Sequence, residues 1–320
     1  MWCGSVGKGE DGRYHMFASR WPKKYPFFQG YTAHSEIVRA TADTPAGPFA
    51  FEEVVLGPRD PSHWDGRMTH NPYLLRGEDG WYLFYCGVTY VEDASAERLW
   101  ALNRASGDFG EMPPWMNDMR SGVAFAEKLA GPWHRPDEPL DLAGLSKNGG
   151  RRAVNVCATL TPEGRCRIVY RLTGKGLITA VADQPAGPYP VEQMGLVFNN
   201  VKKKLAEDPS LFRLGEHPYE MLAKDATGDL TGEVYSVAHF VSEDGAAWAL
   251  APTPKAVSRH IRWDDGQVRE QGNFERPFVL IEDGRPTHLY AATSNGTHAD
   301  NRHPFTDATE TWCMVIPLNR

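Results

Sequence analysis

Gly77-Glu78-Asp79-Gly80-Trp81-Tyr82-Leu83-Phe84-Tyr85 reads as a tight turn followed by a strand of aromatic and aliphatic residues. The same phrase occurs earlier as Gly9-Glu10-Asp11-Gly12-Arg13-Tyr14-His15-Met16-Phe17. It returns as Pro162-Glu163-Gly164-Arg165-Cys166-Arg167-Ile168-Val169-Tyr170, and again around Leu214–Leu222. The last copy is Glu282-Asp283-Gly284-Arg285-Pro286-Thr287-His288-Leu289-Tyr290. A Gly-containing or acidic turn between two β-rich runs is the signal of a hairpin.

A second phrase follows the hairpins. Val38–Asp43 leads to Ala46-Gly47-Pro48-Phe49, Val123–Glu127 to Ala130-Gly131-Pro132-Trp133, and Thr179–Asp183 to Ala186-Gly187-Pro188-Tyr189. A looser copy runs from Val237 to Trp248. Each predicts a third strand, a turn, and an aromatic residue opening a fourth. The repeating unit is therefore a four-stranded antiparallel sheet, present five times. Such sheets cannot bury both faces alone, and a radial arrangement lets each pack on its neighbours. The expected fold is all-β, a five-bladed β-propeller of four-stranded antiparallel sheets. It forms a single domain over 1–320, with blades at about 1–58, 64–140, 152–198, 205–263 and 273–320. Two sandwich domains would not explain five similar hairpins.

Composition agrees. The 31 Gly and 24 Pro in 320 residues exceed the usual share of about 12%. Ten Trp and a net charge of −7 accompany them. That balance gives no basic stripe for nucleic acid or an anionic membrane surface. No apolar run reaches the roughly 18–20 residues that span a bilayer. The five Cys contain no C-x-x-C pair, which argues against a disulfide framework and a zinc site of that kind. The first residues show no charged and apolar leader, so a cytoplasmic location is expected. The chain starts inside a predicted strand, and a preceding segment is a further expectation.

In a propeller the innermost strand of each blade lines the axis. Residues that open those strands converge at one end of the channel. They are Trp2-Cys3-Gly4-Ser5, Trp64-Asp65 through His70-Asn71-Pro72, Arg151-Arg152-Ala153-Val154-Asn155, Glu207-Asp208-Pro209, and Glu275-Arg276-Pro277. Converging carboxylates suit glycosidic cleavage, in which one protonates the leaving oxygen and another activates water or attacks the anomeric carbon. Asp208, Glu207 and Glu275 are the first candidates, with Asp65 as base or as a tuning partner. Alternation along a strand predicts that only one of Glu207 and Asp208 faces the cavity. The alternative is that these acids cap strand ends or pair with Arg276 or Arg67.

His70, Asn71, Asn155, Arg171 and Arg276 are candidate substrate contacts, and Lys224-Asp225 either reaches the pocket or sits at the surface. His34-Ser35-Glu36 could supply an acid from the first blade. Trp64, Tyr31, Tyr90 and Trp115 are candidate sugar platforms. The long insertion 92–120 is a candidate lid or oligomer contact, so a homo-oligomer is one expectation.

The five-blade pattern with His70-Asn71-Pro72 and Glu207-Asp208-Pro209 resembles the five-bladed propeller glycoside hydrolases of families 43 and 117. The resemblance spans essentially the whole chain, on short motifs. It implies a carbohydrate substrate, cleavage often with inversion, and no required cofactor. It also implies a general-base Asp in the first blade, a pKa-tuning Asp in the second and an acid Glu in the third. Here the first blade has no acid before Trp2, and the third has Asn155. Some family-117-like enzymes use a His as acid, which makes His70, His239 and His298 candidates. A structural cation in the axial channel near His288, His298 and His303 is a further expectation. A glycoside phosphorylase, with Arg67, Arg151, Arg152 and Arg276 holding phosphate, and a non-catalytic carbohydrate-binding propeller are the alternatives.

Overall fold

The computed structural model describes residues 1–91, 98, 112–142, 144, 152–197, 206–214, 219–297, 305 and 308–318. Five antiparallel sheets stand around one axis. The first is β1 (Trp2–Lys8), β2 (Tyr14–Arg20), β3 (Glu36–Ala42) and β4 (Ala50–Leu56). The second is β5 (Met68–Arg76), β6 (Trp81–Val88) and β7 (Arg120–Ala126). The third is β8 (Ala153–Leu160), β9 (Cys166–Leu172), β10 (Gly176–Ala182) and the short β11 (Gly195–Leu196). The fourth is β12 (Ala206–Arg213), β13 (Tyr219–Asp225), β14 (Val237–Ser242) and β15 (Ala249–Val257). A small hairpin, β16 (His260–Arg262) with β17 (Val268–Glu270), precedes the fifth sheet. That sheet is β18 (Glu275–Glu282), β19 (Arg285–Ser294) and β20 (Thr311–Pro317).

Every predicted hairpin joins the two innermost strands of a blade. The expectation of four strands throughout needs correction. The second and fifth sheets have three among the described residues. After Ala130-Gly131-Pro132-Trp133 the chain returns to β7 through one bridge, Phe125 to His134, and a hydrogen bond from Leu140 N to the Ser121 carbonyl at 2.8 Å. The Gly-Pro bonds of the second phrase, Gly47-Pro48, Gly131-Pro132 and Gly187-Pro188, are all cis.

Side chains of blades that are not neighbours meet at the hub. Tyr73 of the second blade meets Phe278 of the fifth edge-on at 5.3 Å, and its hydroxyl donates to the Leu211 carbonyl of the fourth at 2.9 Å. The ring closes by packing of the first blade on the fifth, with no strand shared between them among the described residues. Tyr14 donates to Glu282 at 2.7 Å, and Tyr290 donates to the Pro45 carbonyl at 2.6 Å. Trp2, Cys3 and Ala292 form a small buried cluster at this seam.

One short helix, α1 (Phe27–Ala33), interrupts the first blade between β2 and β3. Gly30 lets it lie against Trp21, since a Cβ there would stand 2.0 Å from the indole. The helix leans over the axis. Among the described residues no helix is long and apolar enough to cross a membrane.

Candidate active site

Each innermost strand breaks its regular pairing once. The register slips between Trp2 and Ser5, His70 and Tyr73, Val154 and Cys157, Glu207 and Ser210, and Glu275 and Phe278. Inside each slip one residue adopts left-handed backbone: Cys3 (φ 49°), Asn71 (55°), Asn155 (60°), Asp208 (53°) and Arg276 (52°). Asn and Asp accept this region more readily than most residues. Pro72, Pro209 and Pro277 follow three of them, where an unpaired bulge needs no N–H. Non-glycine residues held in this region cost on the order of 1–3 kcal/mol each and gather at ligand sites.

The bulge also changes which side chains face the axis. In a regular strand only alternate residues would do so. Here consecutive pairs line one cavity: His70 with Asn71, Val154 with Asn155, Glu207 with Asp208, and Glu275 with Arg276. The expectation that one of Glu207 and Asp208 turns away is thus corrected. Both face inward because the chain bulges at Asp208.

The left-handed residues touch one another in blade order. Asn155 Nδ2 donates to Asp208 Oδ1 at 2.5 Å. A carboxylate accepts only, so the Asn155 oxygen must face the other way. It accepts from Asn71 Nδ2 at 2.8 Å, and Asn71 Oδ1 accepts from the Cys3 thiol at 2.9 Å. Burial pushes that thiol well up, which keeps it a donor. Arg276 Nη1 stands 4.0 Å from the same Asp208 oxygen.

This ring floors a cavity of about 320 Å³, within the lower range of small-molecule sites. Its rim is aromatic. Phe27 of α1 stacks on Phe305 at 4.0 Å, and Trp2 meets both edge-on at 5.0 and 5.3 Å. Tyr31 adds a phenol, and Met112 and Met119, at the end of the insertion, add thioethers. Two larger clefts, of about 1020 and 780 Å³, lie between the third and fourth blades and along the later halves of the innermost strands. Neither contains a bulge residue.

The wall of the cavity is charged. Lys224 of β13 donates to Glu275 Oε2 at 2.6 Å, lies 3.1 Å from Glu207 Oε2 and 4.0 Å from Asp208 Oδ2. Arg171 of β9 reaches Glu207 at 3.1 Å. Asn273 Nδ2 donates to the other Glu275 oxygen at 3.1 Å. Burial pushes the Glu275 carboxyl up to about 8; Lys224 opposes this, while Asp208 adds to it by repulsion and hydrogen bonding. Asp208 is also penalised by burial, yet Lys224, the Glu275 hydrogen bond and Arg276 hold it down at about 2. Burial, with the neighbouring Asp208 charge, thus favours a proton on Glu275, whereas the cations around Asp208 favour its ionised form. Burial raises Glu207 too, but Lys224 and then Arg171 outweigh it and hold the group below its ordinary value.

His70 points to the same cavity, with Nδ1 2.8 Å from Ser35 Oγ. Burial, helped by Arg276, lowers it to about 3, so the imidazole is neutral at pH 7. It can hold a hydroxyl but has no imidazolium proton to give.

Other sequence candidates stand elsewhere. Asp65 is fully buried outside the cavity, three residues before β5 and well short of its bulge. It accepts from Arg59, Arg135 and Tyr85, each at 2.7 Å. Trp64 packs on Tyr85 at 5.5 Å, over Gly87 and Gly122, whose missing side chains make room for the indole. His34 stacks on Tyr25 at 3.8 Å, and Glu36 accepts from Arg20 at 2.8 Å. Tyr90 and Trp115 stack on each other at 4.4 Å beneath α1. His239 of β14 pairs with Glu220 of β13 at 2.8 Å, away from the cavity. His298, His303 and Arg151 lie outside the described residues, as does most of the insertion 92–120. Trp2, which opens the first strand, and Lys224 both reach the cavity, and Phe27 of α1 is a contributor that no strand-start pattern marks.

Of the residues expected near a structural cation, His298 and His303 lie outside the described residues, and the bulge ring by itself is a poor oxygen cage. Calcium takes six to eight oxygen ligands. The ring offers one carboxylate, two amides, a thiol and a guanidinium, and Lys224 and Arg276 already bring positive charge. Among the described residues no three His, Cys, Asp or Glu side chains assemble as ligands.

No protein-family model matches the chain, and no curated protein matches it in sequence. Solved structures match it end to end. An α-L-arabinofuranosidase from Lactobacillus brevis superposes with a TM-score of 0.62 at 14% identity, covering 99% of this chain and 90% of that one. The chain has the five-bladed propeller fold of glycoside hydrolase families 43 and 117. A family 117 glycoside hydrolase from Zobellia galactanivorans gives 0.61 at 16% identity, over 98% of this chain and 82% of that one. A thermostable family-43 glycoside hydrolase gives 0.61 at 12%, over 100% and 89%. At these identities the likeness concerns the fold, and the chemistry has to be argued from the cavity.

Proposed function

We propose that this chain is a glycoside hydrolase that binds a sugar in the axial cavity and cleaves its glycosidic bond there. The observation that carries the reading is one pair of carboxyls held by one ammonium in the cavity wall. Lys224 Nζ touches Glu275 at 2.6 Å and Glu207 at 3.1 Å, while burial favours a proton on Glu275 and the two cations beside Glu207 favour its ionised form. A glycosidase needs such a division of labour.

In this reading Glu275 donates its proton to the leaving oxygen as the bond to the anomeric carbon breaks. Glu207, the more accessible of the acids with its side chain 26% exposed, is the second carboxylate. Asp208 keeps Glu275 protonated. Asn71, Asn155 and neutral His70 hold sugar hydroxyls, and the Trp2–Phe27–Phe305 rim supplies apolar faces for the ring.

The two oxygens that meet Lys224 Nζ, at 2.6 and 3.1 Å, lie closer to each other than the roughly 6.5–9.5 Å between the carboxyl groups of an inverting pair, which leans the reading toward the shorter retaining spacing. The reading therefore favours a covalent glycosyl intermediate on Glu207, which a water deprotonated by the now ionised Glu275 cleaves to release the sugar with retained configuration.

Release of nitrophenol from aryl glycosides, and of sugar from arabino-, xylo- and galacto-oligosaccharides, tests the reading. Turnover on at least one substrate is expected. A folded protein inert on all of them contradicts it. A second reading, a carbohydrate-binding propeller without catalysis, is favoured by the tight hold of Lys224 on Glu275. Sugar binding that Glu275→Gln leaves intact, with no cleavage by the parent protein, would select it.

A further inference from the structure

The proposed function gives two arginines of the cavity no contact with substrate. Arg276 is 4% exposed, and its Nη1 has no hydrogen-bond partner. Asp208 Oδ1, at 4.0 Å, is beyond hydrogen-bond reach and is already bound by Asn155. Arg152, just before β8, lines the same cavity, and its Nε is buried without a partner. Among the described residues it makes no ion pair, whereas Arg171 and Lys224 each hold Glu207.

Charge counting points the same way. The wall carries four cations, Arg152, Arg171, Lys224 and Arg276, against three carboxylates, Glu207, Asp208 and Glu275. A proton on Glu275 leaves two anions. Buried positive charge without a counter-ion is costly, and a bound anion would relieve it. A guanidinium presents parallel N–H groups that match a carboxylate or another oxyanion.

We propose that Arg152 and Arg276 form an oxyanion subsite in the axial cavity, and that its natural occupant is the carboxylate of an acidic sugar. The inference rests on the cavity being the sugar site, but not on cleavage occurring there. The same chemistry would hold a free inorganic oxyanion, so the test must separate the two sources.

Calorimetric titration at constant ionic strength compares methyl glucuronide and galacturonide with methyl glucoside and galactoside, and both with inorganic phosphate. At least one uronide should bind tenfold or more tightly than its neutral counterpart, and phosphate should compete with it. Arg152→Gln should weaken uronide binding at least tenfold while shifting neutral-sugar binding less than twofold. Arg152→Lys and Arg276→Lys, which keep the charge and lose the fork, should fall between; they carry the test if Arg152→Gln does not fold.

Phosphate binding that depends on Arg152, with uronides no tighter than neutral sugars, would overturn the acidic-sugar assignment. Binding of neither anion in an Arg152-dependent manner would overturn the subsite altogether. Uronide binding retained in Glu275→Gln, with no cleavage by the parent protein, would keep the subsite and refute the hydrolase reading instead.

Discussion

Lys224 and Glu275 come from neighbouring blades and meet at 2.6 Å in the hub. Both are almost wholly buried, at 6% and 5% exposure. The ammonium also serves Glu207 and Asp208, so one cation organises three carboxyl groups. Its own pKa is raised, because Glu275, Glu207 and Asp208 together outweigh the burial that would lower it.

Removing that cation should be expensive. Breaking a buried ion pair by deleting one partner costs about 3–5 kcal/mol. Lys224→Met should therefore lose stability of that order, read as a lower urea midpoint at unchanged m-value. A midpoint within experimental error of the parent would mean that the ammonium contributes little to holding the hub together.

The amide relay should matter for the shape of the floor. Asn155→Ala deprives both Asp208 and Asn71 of a hydrogen-bond partner and leaves alanine in a left-handed conformation. An unsatisfied buried group costs about 1–3 kcal/mol. Loss of stability in that range, measured by chemical denaturation, is expected, together with weaker sugar binding. Asn155→Gly, which removes the side chain but not the backbone freedom, should recover part of the stability and none of the binding.

The fold was legible because five hairpins carry one sequence phrase. The hub was partly legible: Asn71, Asn155 and Asp208 are residue types that accept left-handed backbone, and a proline follows two of them. Asp65 misled because a polar residue before a strand looks alike whether it faces the axis or an arginine pair. Only its distance from the bulge separates the cases. Glu207 and Asp208 defeated the alternation rule because the rule fails at a bulge. Lys224 lies on a second strand, where no start signal exists, and reaches the axis by the length of its side chain. Helix α1 has no side-chain cap, and its place depends on Gly30 against Trp21, a tertiary contact.

Glu275→Gln should reduce turnover of a natural-type glycoside by about 10²–10⁴-fold, the usual worth of a general acid. An aryl glycoside with an acidic leaving group needs less protonation, so its loss should be markedly smaller. Equal losses on both substrates would assign Glu275 to binding or structure.

The stereochemistry of the product is a separate check. Proton NMR of the first-formed sugar should show the anomer of the substrate. First appearance of the opposite anomer would exclude a covalent intermediate on Glu207.

The protonation state of Glu275 decides most of this chemistry. Its carboxyl is raised to about 8 in the folded protein, from an ordinary value of 4.5. Activity that needs the proton should thus hold through neutrality and fall as pH rises through about 8. Carbon-13 NMR of the glutamate carboxyls, with Glu275→Gln to assign the resonance, measures the titration directly. The account predicts an inflection near 8 for Glu275; an inflection below 5 would contradict it.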